Sequence, residues 1–200
     1  MANAPAPAAA SGLRTLLLPG WLDSEPAHWQ SRWQALHGFE RVQQADWQWP
    51  RRGDWMARLD EVLLLDDRPA VLVAHSLGVQ LVAAWAAHSR HTARVRAALL
   101  VAPPDVERDD MPPPVAAWRP VVRRRLPFAA LVVISRDDPY CAPERAEQMA
   151  ADWGASVYVA GARGHLNGES GLGDWPEGLA LLDGLLAEAG TAAAPASAGG

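Results

Sequence analysis

The chain has 200 residues, enough for one domain with a sizeable core, and about half of them are hydrophobic. Its net charge of −5 argues against a large basic surface for nucleic acid. All 18 basic residues are arginine, which excludes Schiff-base chemistry, a Ser-Lys dyad and a Walker-type phosphate loop, since each requires a lysine. A single cysteine, Cys141, excludes an internal disulfide and a Cys/His zinc cluster, and fits a reducing compartment.

Both ends of the chain are rich in small residues and proline. Residues 1–12 lack the basic start and unbroken apolar core of a signal peptide, so we interpret them as a disordered tail. Residues 190–200 have the same composition and the same interpretation, which leaves a single domain over residues 13–189. No apolar run approaches the roughly 18 residues of a membrane helix. We therefore expect a cytoplasmic protein with no membrane partner.

Short apolar runs alternate with helical patterns along the chain. In chain order, the predicted elements are strand 14–18, helix 26–37, strand 42–47, helix 54–66, strand 70–74, helix 77–88, strand 95–101, strand 129–134, helix 143–153, strand 156–159 and helix 175–187. Residues 106–127 are predicted to be irregular. The strands are nearly continuous apolar runs, as expected when both faces are covered. The pattern predicts an α/β fold with a parallel sheet of about six strands and helices on both faces.

A serine lies between the central predicted strand and the helix that follows, in the sequence Ala-His-Ser-Leu-Gly at 74–78. A strand, a sharp turn and a helix with a hydroxyl on the turn are typical of a nucleophile elbow, here with Ala74 where the G-x-S-x-G motif has its first glycine. The backbone N–H of Leu77 at the helix N-terminus would supply one oxyanion-hole donor. Trp21, in the loop after the first strand, would supply the second.

A serine needs a base to take its proton and an acid to orient that base. The preferred base is His165, in a glycine-rich loop after the last predicted strand, and its main rival is His28. Three carboxylates that follow strands are candidates for the acid: Asp105, Asp137 and Asp138. Ser76, Asp138 and His165 each follow the carboxyl end of a strand, where such folds bind ligands, and occur in the order Ser, Asp, His of α/β-hydrolases.

Four parts of the chain carry a family resemblance: residues 19–21 with Ser24, 28–30 and Trp33; residues 73–78; residues 135–141; and residues 164–167 with 170–173 and 175–178. Together they resemble the small serine hydrolases related to retinoblastoma-binding protein nine, within the α/β-hydrolase superfamily. The resemblance implies a three-layer α/β-hydrolase fold without a large cap domain. It also implies a triad of Ser76, Asp138 and His165, and so favours Asp138 among the three candidate acids.

These features predict a serine hydrolase that cleaves small carboxylic esters through an acyl-enzyme intermediate, without a metal or organic cofactor. The expected partner is a small-molecule ester, and the expected assembly is a monomer or weak homodimer. Residues 106–127, including Met111, are expected to wall the pocket and to favour short acyl groups. The pocket residues predicted by number are Gly20, His28, His75, Trp118 and Tyr140. Two alternatives are an amidase or peptidase with the same triad and a non-catalytic protein-binding module on the hydrolase fold.

Overall fold

The computed structural model describes residues 12–192, so most of the two predicted tails, residues 1–11 of 1–12 and residues 193–200 of 190–200, lies outside the described residues. The strands of this part are β1 Arg14–Leu18, β2 Glu40–Arg41, β3 Ala70–His75, β4 Val95–Val101, β5 Ala129–Ile134 and β6 Ser156–Val159. Its α-helices are α1 Trp29–His37, α2 Arg52–Leu64, α3 Leu77–His88, α4 Pro113–Ala116, α5 Pro143–Trp153 and α6 Pro176–Ala192. No helix within residues 12–192 combines the length and apolar character needed to cross a membrane.

The strands form one parallel sheet in the order β2-β1-β3-β4-β5-β6. From β1 the chain moves outward to β2, then crosses back to place β3 on the other side of β1. Such a reversal leaves a crevice at the carboxyl ends of the two inner strands, because the connections leave in opposite directions. The loops after β1 and β3 therefore meet at this point.

Alternating side chains of the strands supply two separate cores. Leu72 of β3 faces the core shared with α2, α3 and α5, whereas Val71 and Val73 face the core shared with α1 and α6. This is a three-layer α/β arrangement, in which both faces of the sheet are buried by helices. Between β4 and β5 the chain forms only the short helix α4, so there is no large cap. The predicted fold class is confirmed.

Some predicted element boundaries differ from the structure. The predicted strand 42–47 is wrong: the pairing with β1 covers Glu40–Arg41 and closes with the hydrogen bond from Val42 N to Leu17 O, and Asp46 then starts a turn by accepting hydrogen bonds from the N–H groups of residues 48 and 49. Helix α1 starts at Trp29, since residues 25–28 form a turn closed by the hydrogen bond from His28 N to Glu25 O. Helix α6 continues to Ala192, beyond its predicted end near residue 187 and the predicted domain limit at 189.

Candidate active site

Ser76 occupies a strained turn between β3 and α3. Its φ of 53° and ψ of −123° lie in a region that residues with a side chain rarely adopt. Its N–H donates to Val101 O at 2.9 Å, which fixes the turn to β4. Two glycines permit the close approach of the backbone: a Cβ on Gly78 would lie 2.2 Å from Leu18 O, and one on Gly20 would lie 2.7 Å from Ser76 Cβ.

His165 lies between Ser76 and Asp138. Its Nε2 is 2.8 Å from Ser76 Oγ, and its Nδ1 is 3.0 and 2.9 Å from the two carboxylate oxygens of Asp138. Because a carboxylate only accepts hydrogen bonds, Nδ1 carries the ring proton and Nε2 can accept the proton of the serine hydroxyl. Both side chains are largely shielded from water, at 9% exposure for His165 and 4% for Asp138. The N–H of Tyr140 also donates to Asp138 Oδ1, at 2.9 Å.

The other two candidate acids have different partners. Asp137 Oδ1 accepts hydrogen bonds from Ser135 Oγ and Gly164 N, each at 2.8 Å, and these bonds lower the pKa of Asp137. Asp105 forms an ion pair with Arg145, with 3.3 Å between Oδ2 and Nε. Asp137 therefore ties down the loop that carries His165, and Asp105 neutralises an arginine on α5. The structure brings only Asp138 of the three to His165.

His28, the rival base, packs edge-on against His75. Its Nδ1 accepts the N–H of Gln30 at 3.1 Å and so caps α1. The ring centroids of His28 and His75 are 4.6 Å apart, and those of His75 and His165 are 5.0 Å apart. Burial, together with the nearby charge of Arg41 and the ring of His165, lowers the pKa of His28 to about 3. Burial also lowers the pKa of His75 well below its usual value, so both rings are neutral at pH 7.

A cavity of about 660 Å³ opens above Ser76 and His165. Four of the predicted pocket residues line it: Gly20, His28, His75 and Tyr140. The fifth, Trp118, does not. Its indole is buried against Trp55, at a centroid distance of 5.3 Å, and its N–H donates to Pro50 O at 3.0 Å. The prediction for Trp118 is wrong because this long-range hydrogen bond and the apolar core together satisfy the whole side chain.

The cavity has an apolar and a polar side that the sequence did not specify. The apolar side comes from four residues of the segment after β4: Pro104, Met111, Pro112 and Val115. Of these four, only Met111 was named in the prediction from the sequence. The polar side comes from the loops after β1 and β6: Ser24, Glu25 and Asn167. Clustered prolines at 103–104 and 112–114 are a sequence signal for a wall without regular structure, but they do not show which residues face the cavity.

The two predicted oxyanion-hole donors, the N–H groups of Leu77 and Trp21, belong to residues near the Ser76 turn. Leu77 is the first residue of α3, and its N–H points out of the helix N-terminus. Trp21 follows Gly20, whose Cα lies against Ser76. Within residues 12–192, neither N–H donates a hydrogen bond to another group of the chain. Both remain available to a ligand, and their role remains a prediction.

Other nucleophilic or metal-dependent sites gain no support from the described residues. Burial raises the pKa of Cys141 to about 12, which keeps the thiol protonated and unreactive. Within residues 12–192, no cluster of three or more His, Cys, Asp or Glu side chains is arranged to hold a metal ion.

The parallel sheet, its reversal beside β1 and the serine elbow after β3 together define an α/β-hydrolase. The chain belongs to the serine hydrolase family, whose model matches residues 15–184. It is similar to a YdeN-like hydrolase from Pectobacterium atrosepticum, with 25% identity, a TM-score of 0.77, and coverage of 90% of this chain and 94% of the other.

More distant structures share the fold alone. The ydeN gene product of Bacillus subtilis is 17% identical, with a TM-score of 0.66 and coverage of 88% of this chain and 99% of the other. The carboxylesterase CesB from Bacillus subtilis is 15% identical, with a TM-score of 0.55 and coverage of 78% of each chain. A comparison with curated protein sequences gives no match.

The buried neutral imidazole of His28 predicts a loss of stability in acid. Its pKa is about 3 in the folded chain and 6.5 as a free side chain, so the unfolded chain binds more protons between these values. Stability from this group is present above pH 6.5 and is lost as the pH falls towards 3. When the pH is lowered from 7.5 to 4.5, the free energy of unfolding should fall in both proteins. The fall should be about 2 kcal/mol smaller in His28→Asn than in the wild type.

Urea unfolding at pH 7.5, 5.5 and 4.5 measures this difference. Asparagine is the matched replacement, because its side chain also caps a helix N-terminus but does not titrate. The free energy of unfolding of each protein is expressed relative to its own value at pH 7.5, so that the stability lost through altered packing in the variant does not enter the comparison. Equal acid losses in the two proteins would contradict the prediction.

Proposed function

We propose that this serine hydrolase cleaves small carboxylic esters through a triad of Ser76, His165 and Asp138. The observation that carries the proposal is the continuous relay from Ser76 Oγ to His165 Nε2, at 2.8 Å, and from His165 Nδ1 to Asp138, at 2.9 Å. This relay lies at the base of an open cavity. We also propose that, within the serine hydrolase family, this chain is related to the small hydrolases that resemble retinoblastoma-binding protein nine.

The reaction follows from the geometry of these groups. Ser76 Oγ attacks the ester carbonyl carbon while its proton passes to His165 Nε2, and the carbonyl oxygen becomes an oxyanion held by the N–H groups of Leu77 and Trp21. The C–O bond to the alcohol then breaks, and the alcohol leaves with the proton from His165. Water attacks the acyl-enzyme in the same way, which releases the acid and restores Ser76. Asp138 holds the reactive tautomer and balances the imidazolium charge.

The cavity supports a small substrate with a short apolar acyl group. A volume of about 660 Å³ lies in the range of small-molecule sites. Met111 and Val115 offer apolar surface for the acyl chain, and among residues 12–192 no arginine lines the cavity to bind a carboxylate. Tyr140, 41% exposed at the rim, stacks edge-on against His165 with 4.6 Å between ring centroids, and so narrows the entrance next to the base.

Labelling with a fluorophosphonate probe tests the proposal, because the probe phosphonylates only an activated serine. The wild type should be labelled and should hydrolyse p-nitrophenyl acetate and butyrate, whereas Ser76→Ala should show neither reaction. Ser89→Ala is the matched control and should be labelled like the wild type: this serine is also partly buried, but its Oγ donates to Asp60 at 2.7 Å, at the opposite end of α3 from Ser76. Labelling that persists in Ser76→Ala would move the nucleophile elsewhere.

The leaving group separates ester from amide cleavage. A triad tuned to esters should turn over p-nitrophenyl acetate at least 10²-fold faster than acetyl p-nitroanilide, since an amine must be protonated as it leaves whereas p-nitrophenolate needs little help. Faster cleavage of the anilide would instead assign an amidase. A wild type that reacts with neither substrate nor probe would indicate a binding module.

A further inference from the structure

The loop that carries His165 has an unfavourable backbone. Gly164 has a φ of 57° and Leu166 a φ of 49°, so the residues on both sides of the base are left-handed. Glycine tolerates this conformation, but Leu166 has a side chain and its backbone costs on the order of 1–3 kcal/mol. Left-handed residues persist only where surrounding contacts hold them. The position of the base thus depends on groups outside its own loop.

Two side chains bind consecutive carbonyl oxygens of this loop. His75 Nε2 lies 2.9 Å from His165 O, and Trp29 Nε1 donates to Leu166 O at 2.8 Å. Because a carbonyl oxygen only accepts hydrogen bonds, Nε2 of His75 carries the proton. Both side chains are buried, with exposures of 5% for His75 and 1% for Trp29, so water does not compete for these bonds.

The two donors come from elements that are themselves fixed. His75 is the last residue of β3 and directly precedes Ser76, so the donor and the nucleophile are adjacent residues of the same backbone. Trp29 begins α1, where it packs against Trp33 and Trp175 with centroid distances of 4.7 and 4.8 Å. A hydrogen bond from each to the backbone of the loop ties the base to the strand that carries the nucleophile and to the helix beside it.

We propose that His75 and Trp29 are positioning residues that set the place of His165 by holding the carbonyl oxygens of residues 165 and 166. This inference rests on the proposed function, because it concerns the alignment of His165 with Ser76. His75 acts as a neutral donor. A charged ring at this place would oppose the imidazolium that forms on His165, 5.0 Å away between centroids.

Two variants remove one hydrogen bond each and keep most of the packing: His75→Leu and Trp29→Phe. Each should lower kcat for p-nitrophenyl butyrate about 10–100-fold with KM changed less than about threefold, since a shift of the base of about 1 Å costs that much in rate. His75→Gln, whose amide N–H can reach the same carbonyl, should restore kcat at least halfway, on a logarithmic scale, from the value of His75→Leu to that of the wild type. If His75→Leu does not fold, Trp29→Phe and His75→Gln still decide the question.

Trp33→Phe is the matched control on the same helix. Its indole also donates to a backbone carbonyl, Asp174 O at 2.8 Å, but that residue follows the His165 loop in the sequence and does not adjoin the base. This variant should lose stability like Trp29→Phe and keep kcat within about twofold of the wild type. Equal kcat losses in the two variants, with Tm lowered to the same extent, would overturn the proposal. Both losses would then be explained by weakened packing of α1 alone.

A readout without substrate comes from the imidazole itself. The proton shared by His165 Nδ1 and Asp138 should give a low-field ¹H NMR signal in the wild type, and this signal should shift or broaden in His75→Leu and Trp29→Phe but not in Trp33→Phe. A signal unchanged in all three variants would count against positioning. Failure of the proposed function differs from both results, since the wild type would then be inactive or Ser76→Ala would keep its activity.

Discussion

Replacing Asp138 by Asn should lower kcat/KM for p-nitrophenyl esters by roughly 10³–10⁴-fold while leaving the chain folded. The carboxylate binds His165 Nδ1 through both oxygens, at 3.0 and 2.9 Å, and is 4% exposed. An amide that donates its N–H to Nδ1 places the ring proton on Nε2, the nitrogen that must accept the proton of Ser76. It also removes the charge that balances the imidazolium. The expected loss therefore falls mainly on kcat.

Asp105→Asn provides the control for this prediction. Asp105 also follows a strand and was an equally plausible acid from its position in the sequence, but its carboxylate pairs with Arg145. We expect activity within about threefold of the wild type and a loss of about 1 kcal/mol in stability from the weakened pair. Steady-state kinetics and urea unfolding of both variants measure the two quantities. The opposite result, with Asp105→Asn inactive and Asp138→Asn active, would transfer the role of the acid.

The choice between these acids illustrates what local sequence can predict. The strands β1, β4, β5 and β6 have the predicted boundaries, because each is a short, largely apolar run that is ended by a proline, glycine or polar turn; β1, β4 and β5 are mostly buried, whereas β6 is an exposed edge strand. Ser76 was predicted from the same kind of signal. Which carboxylate reaches His165 depends instead on how two loops from different strands pack. From spacing alone, Asp105, Asp137 and Asp138 remained open, and only the family resemblance separated them.

The tryptophans show the complementary limit. Trp29 and Trp33 lie four residues apart, about one helical turn, and both are buried on the same side of α1, but this periodicity carries no information about the partner of an indole N–H. Those partners, Leu166 O and Asp174 O, lie more than 130 positions away along the chain. Trp118 failed for the same reason, since its partner Pro50 O was unknown. Burial follows from composition and period, whereas a specific polar contact requires the tertiary structure.

Replacing Gly78 by Ala should destabilise the chain by about 2–4 kcal/mol and abolish most of its activity. Gly78 is the second residue of α3, and a Cβ there would lie 2.2 Å from Leu18 O and 2.8 Å from Pro19 O. Both contacts are with backbone atoms, which cannot rotate away as a side chain can. Relief requires α3 to move away from the end of β1, and this movement separates Leu77 N–H from the loop of Gly20 and Trp21.

Gly184→Ala separates this clash from the general effect of adding a methyl group to a helix. Gly184 lies within α6, and a Cβ there would meet no atom within 4 Å. Alanine should stabilise that helix by about 0.5–1 kcal/mol, because glycine loses more backbone freedom on folding. Urea unfolding of both variants, with fluorophosphonate labelling of the folded fraction, measures the contrast. Loss of labelling in folded Gly78→Ala would show that the glycine of the serine motif is needed for the proposed oxyanion hole as well as for the packing of α3. Wild-type stability and labelling in that variant would show that β1 and α3 can separate at little cost.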